Sequence, residues 1–285
     1  MRKKHIWWDG AKQHSGLELS YLNLNDAEAA WLLVHDLGEQ PAAAIIKHAN
    51  PCGAAVADDI ATAYRLAYEC DEKSAFGGIV AVNRPVDDAT ADEMVAAAQA
   101  DIIVAPSWEG GTVDRLIAKR RNTRLLEAPS PAQERRHFRQ IGGGFLVQEP
   151  YRFATSRSEW RVVSKAQPTR EQWRDAEVAW RLCAHVTSNA VVLVAGGQAV
   201  GVGAGQQSRV DAAEIAMRKA AGRAKGGASG TDAFYPFRDG LDVAAASEVA
   251  VVVEPGGSIR DDEIIAAADE HGLALVFTGE RQFRH

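Results

Sequence analysis

Short apolar runs, each closed by Gly, Pro, Asn or Asp, recur along this chain with helix-length segments between them, and this alternation constrains the fold more than any other feature. In the first half the spacing predicts strands at 42–46, 78–83, 102–106 and 123–126, separated by helices at 59–70, 90–100 and 113–120. A strand buried on both faces reads as an apolar run with little polar alternation. Strands alternating with helices argue for an α/β domain with helices layered on both faces of a sheet. The stretch 128–140 is rich in Pro and Arg and shows no period, and Gly142-Gly143-Gly144 marks a flexible turn. A domain boundary is placed there, giving units 1–140 and 141–285.

The second unit starts again with a helix at 170–184. Strands at 190–195 and 198–202 follow, joined by Gly196-Gly197, which suits a two-residue hairpin turn. Helices at 210–221 and 241–247, a strand at 249–253, a helix at 261–270 and a strand at 273–277 complete it. Ser258-Ile259-Arg260-Asp261 matches a capping box at the start of the last helix. No low-complexity segment and no repeat is visible in the sequence itself.

Composition excludes several classes of function. A length of 285 residues suggests two domains. The net charge of −6 argues against a nucleic-acid groove, which needs clustered Lys and Arg. The longest basic cluster, Lys119-Arg120-Arg121, reads as the solvated end of a helix. No apolar stretch is long enough to span a bilayer, and the basic start Met1-Arg2-Lys3-Lys4 is not followed by a signal-peptide core. Cys52, Cys70 and Cys183 are odd in number and scattered, so no disulfide framework is expected. These features point to a cytoplasmic protein without nucleic-acid or membrane partners.

Lys47-His48-Ala49-Asn50-Pro51-Cys52-Gly53 carries the clearest chemical signal. It follows the apolar run 42–46, and Pro51 and Gly53 are expected to break the strand and begin a turn. A Lys and a His side by side at a strand end suit acid–base work, because imidazole exchanges protons near neutrality and an adjacent ammonium favours its neutral, basic form. The bland reading is a solvated pair. Pro51-Cys52 invites comparison with zinc deaminases, but no second Cys follows at the P-C-x-x-C spacing and no metal site is expected. The run Gly201-Val202-Gly203-Ala204-Gly205-Gln206-Gln207-Ser208-Arg209 joins a strand to a helix, where free N–H groups favour an anion. It lacks the dinucleotide-binding spacing, and a glycine-rich packing turn is the plainer alternative.

Taken in order, KHANPCG, Ser74-Ala75-Phe76-Gly77-Gly78, Ile103-Val104-Ala105-Pro106, Gly142-Gly143-Gly144-Phe145-Leu146-Val147-Gln148, Ser188-Asn189-Ala190, the run ending in Arg209, Asp232-Ala233-Phe234-Tyr235-Pro236-Phe237-Arg238-Asp239-Gly240, Pro255-Gly256-Gly257-Ser258-Ile259-Arg260-Asp261 and the closing Arg281-Gln282-Phe283-Arg284-His285 resemble the AICAR transformylase family. The resemblance runs from about Leu17 to the end of the chain. It implies two tandem cytidine-deaminase-like three-layer α/β/α subdomains and transfer of a formyl group from 10-formyltetrahydrofolate to the amine of AICAR. It makes Lys47, His48 and Asn189 catalytic. Phe76, Gly77, Asp101, Ser208, Arg209, Phe234, Asp239 and Arg281 become substrate contacts, and Phe234, Pro236 and Gly240 folate contacts. A homodimer with active sites shared across its interface is implied as well.

The resemblance also has gaps. There is no counterpart of the inosinate-cyclohydrolase domain, so ring closure is not expected of these residues. The Arg-Tyr-Gly-Glu-Asn-Pro-His-Gln segment that helps hold the substrate phosphate in the family has no match, and Thr187 stands where bacterial relatives carry Lys. The phosphate then falls to Arg209, Arg281 and the basic start at Arg2, Lys3 and Lys4. Two other readings stand beside this one: a formyltransferase for a different, unphosphorylated heterocyclic amine, and a non-catalytic nucleotide- or folate-binding module.

Overall fold

The computed structural model describes residues 7–131 and 136–285. The basic start at Arg2, Lys3 and Lys4 and the centre of the irregular stretch 128–140 lie outside the described residues. The first half runs β1 (Lys12–Ser15), α1 (Tyr21–Asp36), β2 (Ala42–Lys47), β3 (Asn50–Val56), α2 (Ile60–Cys70), α3 (Glu72–Ala75), β4 (Ile79–Val82), α4 (Asp88–Ala96), β5 (Ile102–Ala105), α5 (Thr112–Lys119) and β6 (Arg124–Glu127). A separate hairpin, β7 (His137–Ile141) and β8 (Gly144–Gln148), leads to β9 (Arg161–Val162) and the second half. That half runs α6 (Arg170–Cys183), β10 (Val191–Ala195), β11 (Gln198–Gly203), α7 (Arg209–Ala220), β12 (Ala228–Thr231), α8 (Arg238–Ala246), β13 (Val251–Glu254), α9 (Asp261–His271) and β14 (Ala274–Phe277).

All strands but β7 and β8 join one mixed sheet in the order β1-β6-β5-β4-β2-β3-β11-β10-β12-β13-β14-β9. Its two halves repeat each other. In each, an antiparallel hairpin (β2–β3 or β10–β11) is followed by a helix, and three mutually parallel strands (β4, β5, β6 or β12, β13, β14) then extend the sheet outward from the hairpin's first strand. The halves meet where β3 runs antiparallel to β11, with Ala55 opposite Gln198 and the Val56 N–H donating to the Gly197 carbonyl at 3.0 Å. The repeat invisible in the sequence is therefore plain in the topology.

Alternation along the strands sorts side chains onto two faces. Ala42, Ala44 and Ile46 of β2 join Val192 and Val194 of β10 in one core, which α1 and α6 cover together. Ala43 and Ile45 face a second core under α2, α4 and α5, while Val191 and Leu193 face a third under α7, α8 and α9. The halves thus share one core and keep separate cores on the opposite face. Trp31 of α1 and Trp180 of α6 are fully buried in the shared core, and truncating such a residue to Ala costs about 3–5 kcal/mol.

Glycine sets how closely helices approach the hairpins. A Cβ on Gly53 of β3 would lie 1.9 Å from the Ala67 carbonyl oxygen of α2, and one on Gly203 of β11 would lie 1.8 Å from that of Ala212 in α7. Two expectations need correction. Lys119-Arg120-Arg121 is not simply solvated: the Arg120 guanidinium donates to the carbonyls of Met94 (3.1 Å), Val95 (3.2 Å), Ala97 and Ala98 (3.0 Å), closing the C-terminus of α4. The capping box is rearranged, because the Asp261 carboxylate accepts from the N–H groups of Gly257 and Ser258 while the Ser258 hydroxyl accepts from Arg260 N–H.

Glu254 closes β13 and is fully buried. Its Oε2 accepts from Tyr235 N–H at 2.8 Å, and its Oε1 has no hydrogen-bond partner among the described residues. Burial pushes its carboxyl up to about 8, against the opposing effect of the Tyr235 N–H. In an unfolded chain the same carboxyl titrates near 4.5. Between those values the native state holds a proton that the unfolded state has lost, so stability falls as pH rises through the window and levels off above it. Glu254→Gln keeps an acceptor for Tyr235 N–H and removes the titration. The variant is expected to flatten the decline in Tm between about pH 5 and about pH 9 and to be the more stable protein at the alkaline end. Thermal unfolding across that range checks this, and an unchanged slope counts against it.

Candidate functional site

The turn between β2 and β3 is His48-Ala49, both left-handed at φ +52° and +60°, the pair of positive φ values that a tight two-residue hairpin turn uses. Lys47 pairs with Asn50 across its base. The expected break at Pro51 and Gly53 is therefore misplaced, since both lie inside β3. The register shifts between Ile45 and Ile46, leaving Cys52 as the extra residue of a bulge, and a bulge is where a strand tolerates Pro. Ala49 N–H donates to Asp26 Oδ1 at 2.9 Å, which ties the tip to α1. His48 is exposed there.

Lys47 points the other way. Its ammonium donates to the Phe76 carbonyl at 2.6 Å. Gly77, at φ +67°, has no side chain to intervene, and a Cβ on it would lie 3.2 Å from Lys47 Nζ and 3.8 Å from Asp101 Oδ1. Lys47, Gly77 and Asp101 thus stand side by side, next to the largely exposed Phe76. The structure gathers these first-half candidates in one place, with His48 adjoining.

A cavity of about 480 Å³ gathers those of the second half: Asn189, Ser208, Arg209, Phe234, Pro236, Asp239, Gly240 and Arg281 all line it. Lys47, His48, Phe76, Gly77 and Asp101 do not. Two helices begin on this cavity, α7 after Ser208 and α8 after Phe237, and neither N-cap side chain accepts one of the free N–H groups. Their N-terminal partial charges favour an anion. The Arg281 guanidinium lies 5.0 Å from the centre of the Phe234 ring. Asp239 accepts from Gly240 N–H at 2.8 Å in the first turn of α8. The C-terminal segment is ordered: Gln282 N–H donates to the Asp232 carbonyl at 3.0 Å, and Ser188 N–H donates to the Arg284 carbonyl at 2.8 Å.

Arg209 is buried, and its guanidinium donates to Thr231 Oγ1 (2.6 Å), to the Asp232 carboxylate and to Asn189 Oδ1 (2.7 Å). Asn189 in turn donates to the carbonyls of Gln206 (3.0 Å) and Gln207 (2.9 Å). Gly201 and Gly203 belong to β11 and pack against α7; only Gly205 of that run turns, at φ +66°. The two groups of candidates are joined through Asn50, whose Oδ1 accepts from Thr187 N–H at 2.8 Å, two residues before Asn189.

Tyr235, Phe237 and Phe283 also line the cavity and were not singled out from the sequence. The DAFYPFRDG run was the available signal for the first two. Burial pushes the thiols of Cys52 and Cys70 up to about 12 and that of Cys183 well above its usual value, so none is poised as a nucleophile. Among the described residues no group of three His, Cys, Asp or Glu side chains could hold a metal ion, and no helix is long and apolar enough to cross a membrane.

The sequence profile of the AICARFT/IMPCHase bienzyme family matches residues 2–219. Among curated proteins, the bifunctional purine biosynthesis protein PurH of Neisseria meningitidis is 46% identical over 278 residues, which are 96% of this chain and 52% of that protein. PurH of Neisseria gonorrhoeae is 47% identical over 277 residues, again 96% of this chain and 52% of the relative. PurH of Roseobacter denitrificans is 46% identical over 290 residues, covering 96% and 54%. The chain spans about half the length of the curated relatives it matches.

Proposed function

Because the chain belongs to the AICARFT/IMPCHase bienzyme family, we propose that it is a formyltransferase moving a formyl group from 10-formyltetrahydrofolate to the amine of AICAR. The observation that carries this reading is the joining of two clusters. The Lys47-His48 tip is tied through the Asn50–Thr187 bond to the segment bearing Asn189, beside a cavity lined by aromatic rings and opened by two helix N-termini. The rings suit flat heterocycles, and Arg281 with the free N–H groups suits a phosphate or carboxylate. The two five-stranded runs of the sheet are read as the two deaminase-like subdomains.

In the proposed reaction the amine nitrogen attacks the formyl carbon, a C–N bond forms, and the bond from that carbon to the folate nitrogen breaks. The acceptor amine is conjugated with its ring and a poor nucleophile, so its proton must leave as attack proceeds. His48 takes that proton. Lys47, held by the Phe76 carbonyl, stabilises the oxyanion on the formyl oxygen and supplies a proton to the departing folate nitrogen, while Asn189 orients the amine. His48→Ala removes the base, and its kcat is expected to fall about 10²–10⁴-fold in a folded protein. Steady-state kinetics following folate absorbance test this. Near-normal turnover by the folded variant rejects the assignment.

Arg281 is assigned to the acceptor phosphate. Arg281→Ala is expected to raise KM for the ribotide more than it lowers kcat, the signature of lost binding common to ground and transition states. The dephosphorylated riboside should be a poor substrate of the parent protein and insensitive to this substitution. Equal use of riboside and ribotide would favour the reading in which the natural acceptor is a different, unphosphorylated amine.

A homodimer is part of the same proposal, supported by the β7–β8 hairpin. It stands apart from the main sheet with Phe138, Ile141, Phe145, Leu146 and Val147 exposed, and an isolated two-stranded hairpin is marginal in water. A second copy covering these side chains would stabilise it. Phe145→Glu is expected to shift the mass in light scattering from dimer to monomer. A parent chain that is monomeric and fully active argues against the dimer.

A further inference from the structure

Asp232 has no part in the mechanism above, yet three segments of the cavity converge on it. It follows β12, is completely buried, and stands two residues before Phe234. Its Oδ1 accepts from Ala190 N–H at 3.1 Å, beside Asn189, and from the Arg209 guanidinium. Its backbone carbonyl accepts from Gln282 N–H at 3.0 Å, beside Arg281. A carboxylate that is wholly inside the protein must be paired to remain charged, and the guanidinium of Arg209 is that pair.

The consequence reaches Asn189. Its amide nitrogen has two hydrogens, and these are directed to the carbonyls of Gln206 and Gln207. Its Oδ1 accepts from Arg209 Nη2 at 2.7 Å and keeps one lone pair. Rotating the amide by half a turn would set its NH₂ against the guanidinium NH₂, donor against donor, and would face Oδ1 towards two carbonyl oxygens. Arg209 thereby fixes which end of the amide is the acceptor, and Asp232 fixes Arg209.

We infer that Asp232 is a positioning residue. By holding the Arg209 guanidinium it locks the Asn189 amide in the one orientation that leaves an acceptor lone pair for the substrate amine, while its carbonyl anchors the segment carrying Arg281. The catalytic consequence rests on the formyltransferase reading and its assignment of Asn189; the locked amide does not.

Two readouts test it. The first is independent of activity. In protein labelled with [¹⁵N]asparagine, the Asn189 side-chain pair is assigned by its absence from Asn189→Ala, and its hydrogen exchange is compared with that of Asp232→Asn. The exchange should become about tenfold faster or more in the variant, while backbone amides of β12 keep their protection. The second is kinetic: Asp232→Asn should lower kcat about 10–100-fold, the usual effect of removing a group that orients a reacting side chain, with KM for the acceptor little changed. In an Asn189→Ala background the same substitution should cost less than about twofold more, since the two act through one contact. If leaving Arg209 unpaired prevents folding, Asp232→Glu keeps the charge, displaces the carboxylate by one methylene, and should show both effects at smaller size. Unchanged Asn189 exchange overturns the inference, as does a full loss of kcat that persists in the Asn189→Ala background. If the parent protein transfers no formyl group, the functional reading falls, and the exchange measurement alone decides whether Asp232 locks the amide.

Discussion

The antiparallel seam between β3 and β11 is the constraint on which the rest depends. There Ala55 stands opposite Gln198, and the Asn50 side chain of β3 accepts from Thr187 N–H at 2.8 Å. The His48-Ala49 tip is thereby tied to the segment that carries Asn189 into β10. A one-residue slip would turn every β3 side chain to the opposite face of the sheet, exposing Ala54 and Val56 to the wrong core and parting the tip from Asn189. The shared core under α1 and α6 opposes such a slip, because residues of both hairpins are buried in it.

Electrostatics at the site follow from what the seam brings together. The uncapped N-terminus of α7, Arg281 and Arg209 bring positive charge to the cavity and Asp239 at the start of α8 brings a negative one, yet Arg209 is committed internally to Asp232 and Asn189. The freer cation is Arg281, exposed and packed against Phe234. The two arginines differ accordingly: one is bonded to an amide, the other faces solvent. On the first-half side, Lys47 is held by a carbonyl rather than a carboxylate, with Asp101 close by beyond Gly77. A neutral acceptor orients the ammonium without cancelling its charge.

Central strands were legible in the sequence because burial on both faces leaves no room for polar residues: the runs at 42–46, 102–106 and 190–195 coincide with β2, β5 and β10 to within a residue. Elements chosen by close packing were not. In α1 the adjacent Ala29, Ala30 and Trp31 and then Leu33 and Val34 are all buried, so no single apolar stripe appears. In β12 the residues Ala228-Ser229-Gly230-Thr231 read as a loop, yet they are small because a Cβ on Gly230 would come within 2.8 Å of Ala179 in α6. The residues of the site were visible as types within recognisable runs. Their partners were not, since nothing along the chain announces that Arg209 and Asp232, 23 residues apart, will share a buried contact.

The two hairpin tips at the seam are surrounded differently. The counterpart of the His48-Ala49 tip is Gly196-Gly197, which meets the end of β3. There the chain closes the space. A Cβ on Gly197 would lie 2.7 Å from the Val56 carbonyl oxygen, and the buried Asp175 carboxylate accepts from the N–H groups of Gly196 (2.9 Å) and Gly197 (2.7 Å). Burial pushes the Asp175 carboxyl upwards, against the pull of those two N–H groups. The connections differ to match: residues 57–59 join β3 to α2, whereas residues 204–208 join β11 to α7. The shorter link ends in Asp59, whose side chain caps its helix by accepting from Thr62 N–H, while Ser208 at the longer one leaves its helix start open to the cavity. One helix N-terminus is thus satisfied from within and the other opens on the cavity. Side chains at a few turn positions, on a common backbone plan, are enough to close one end of the seam and leave the other open to the cavity.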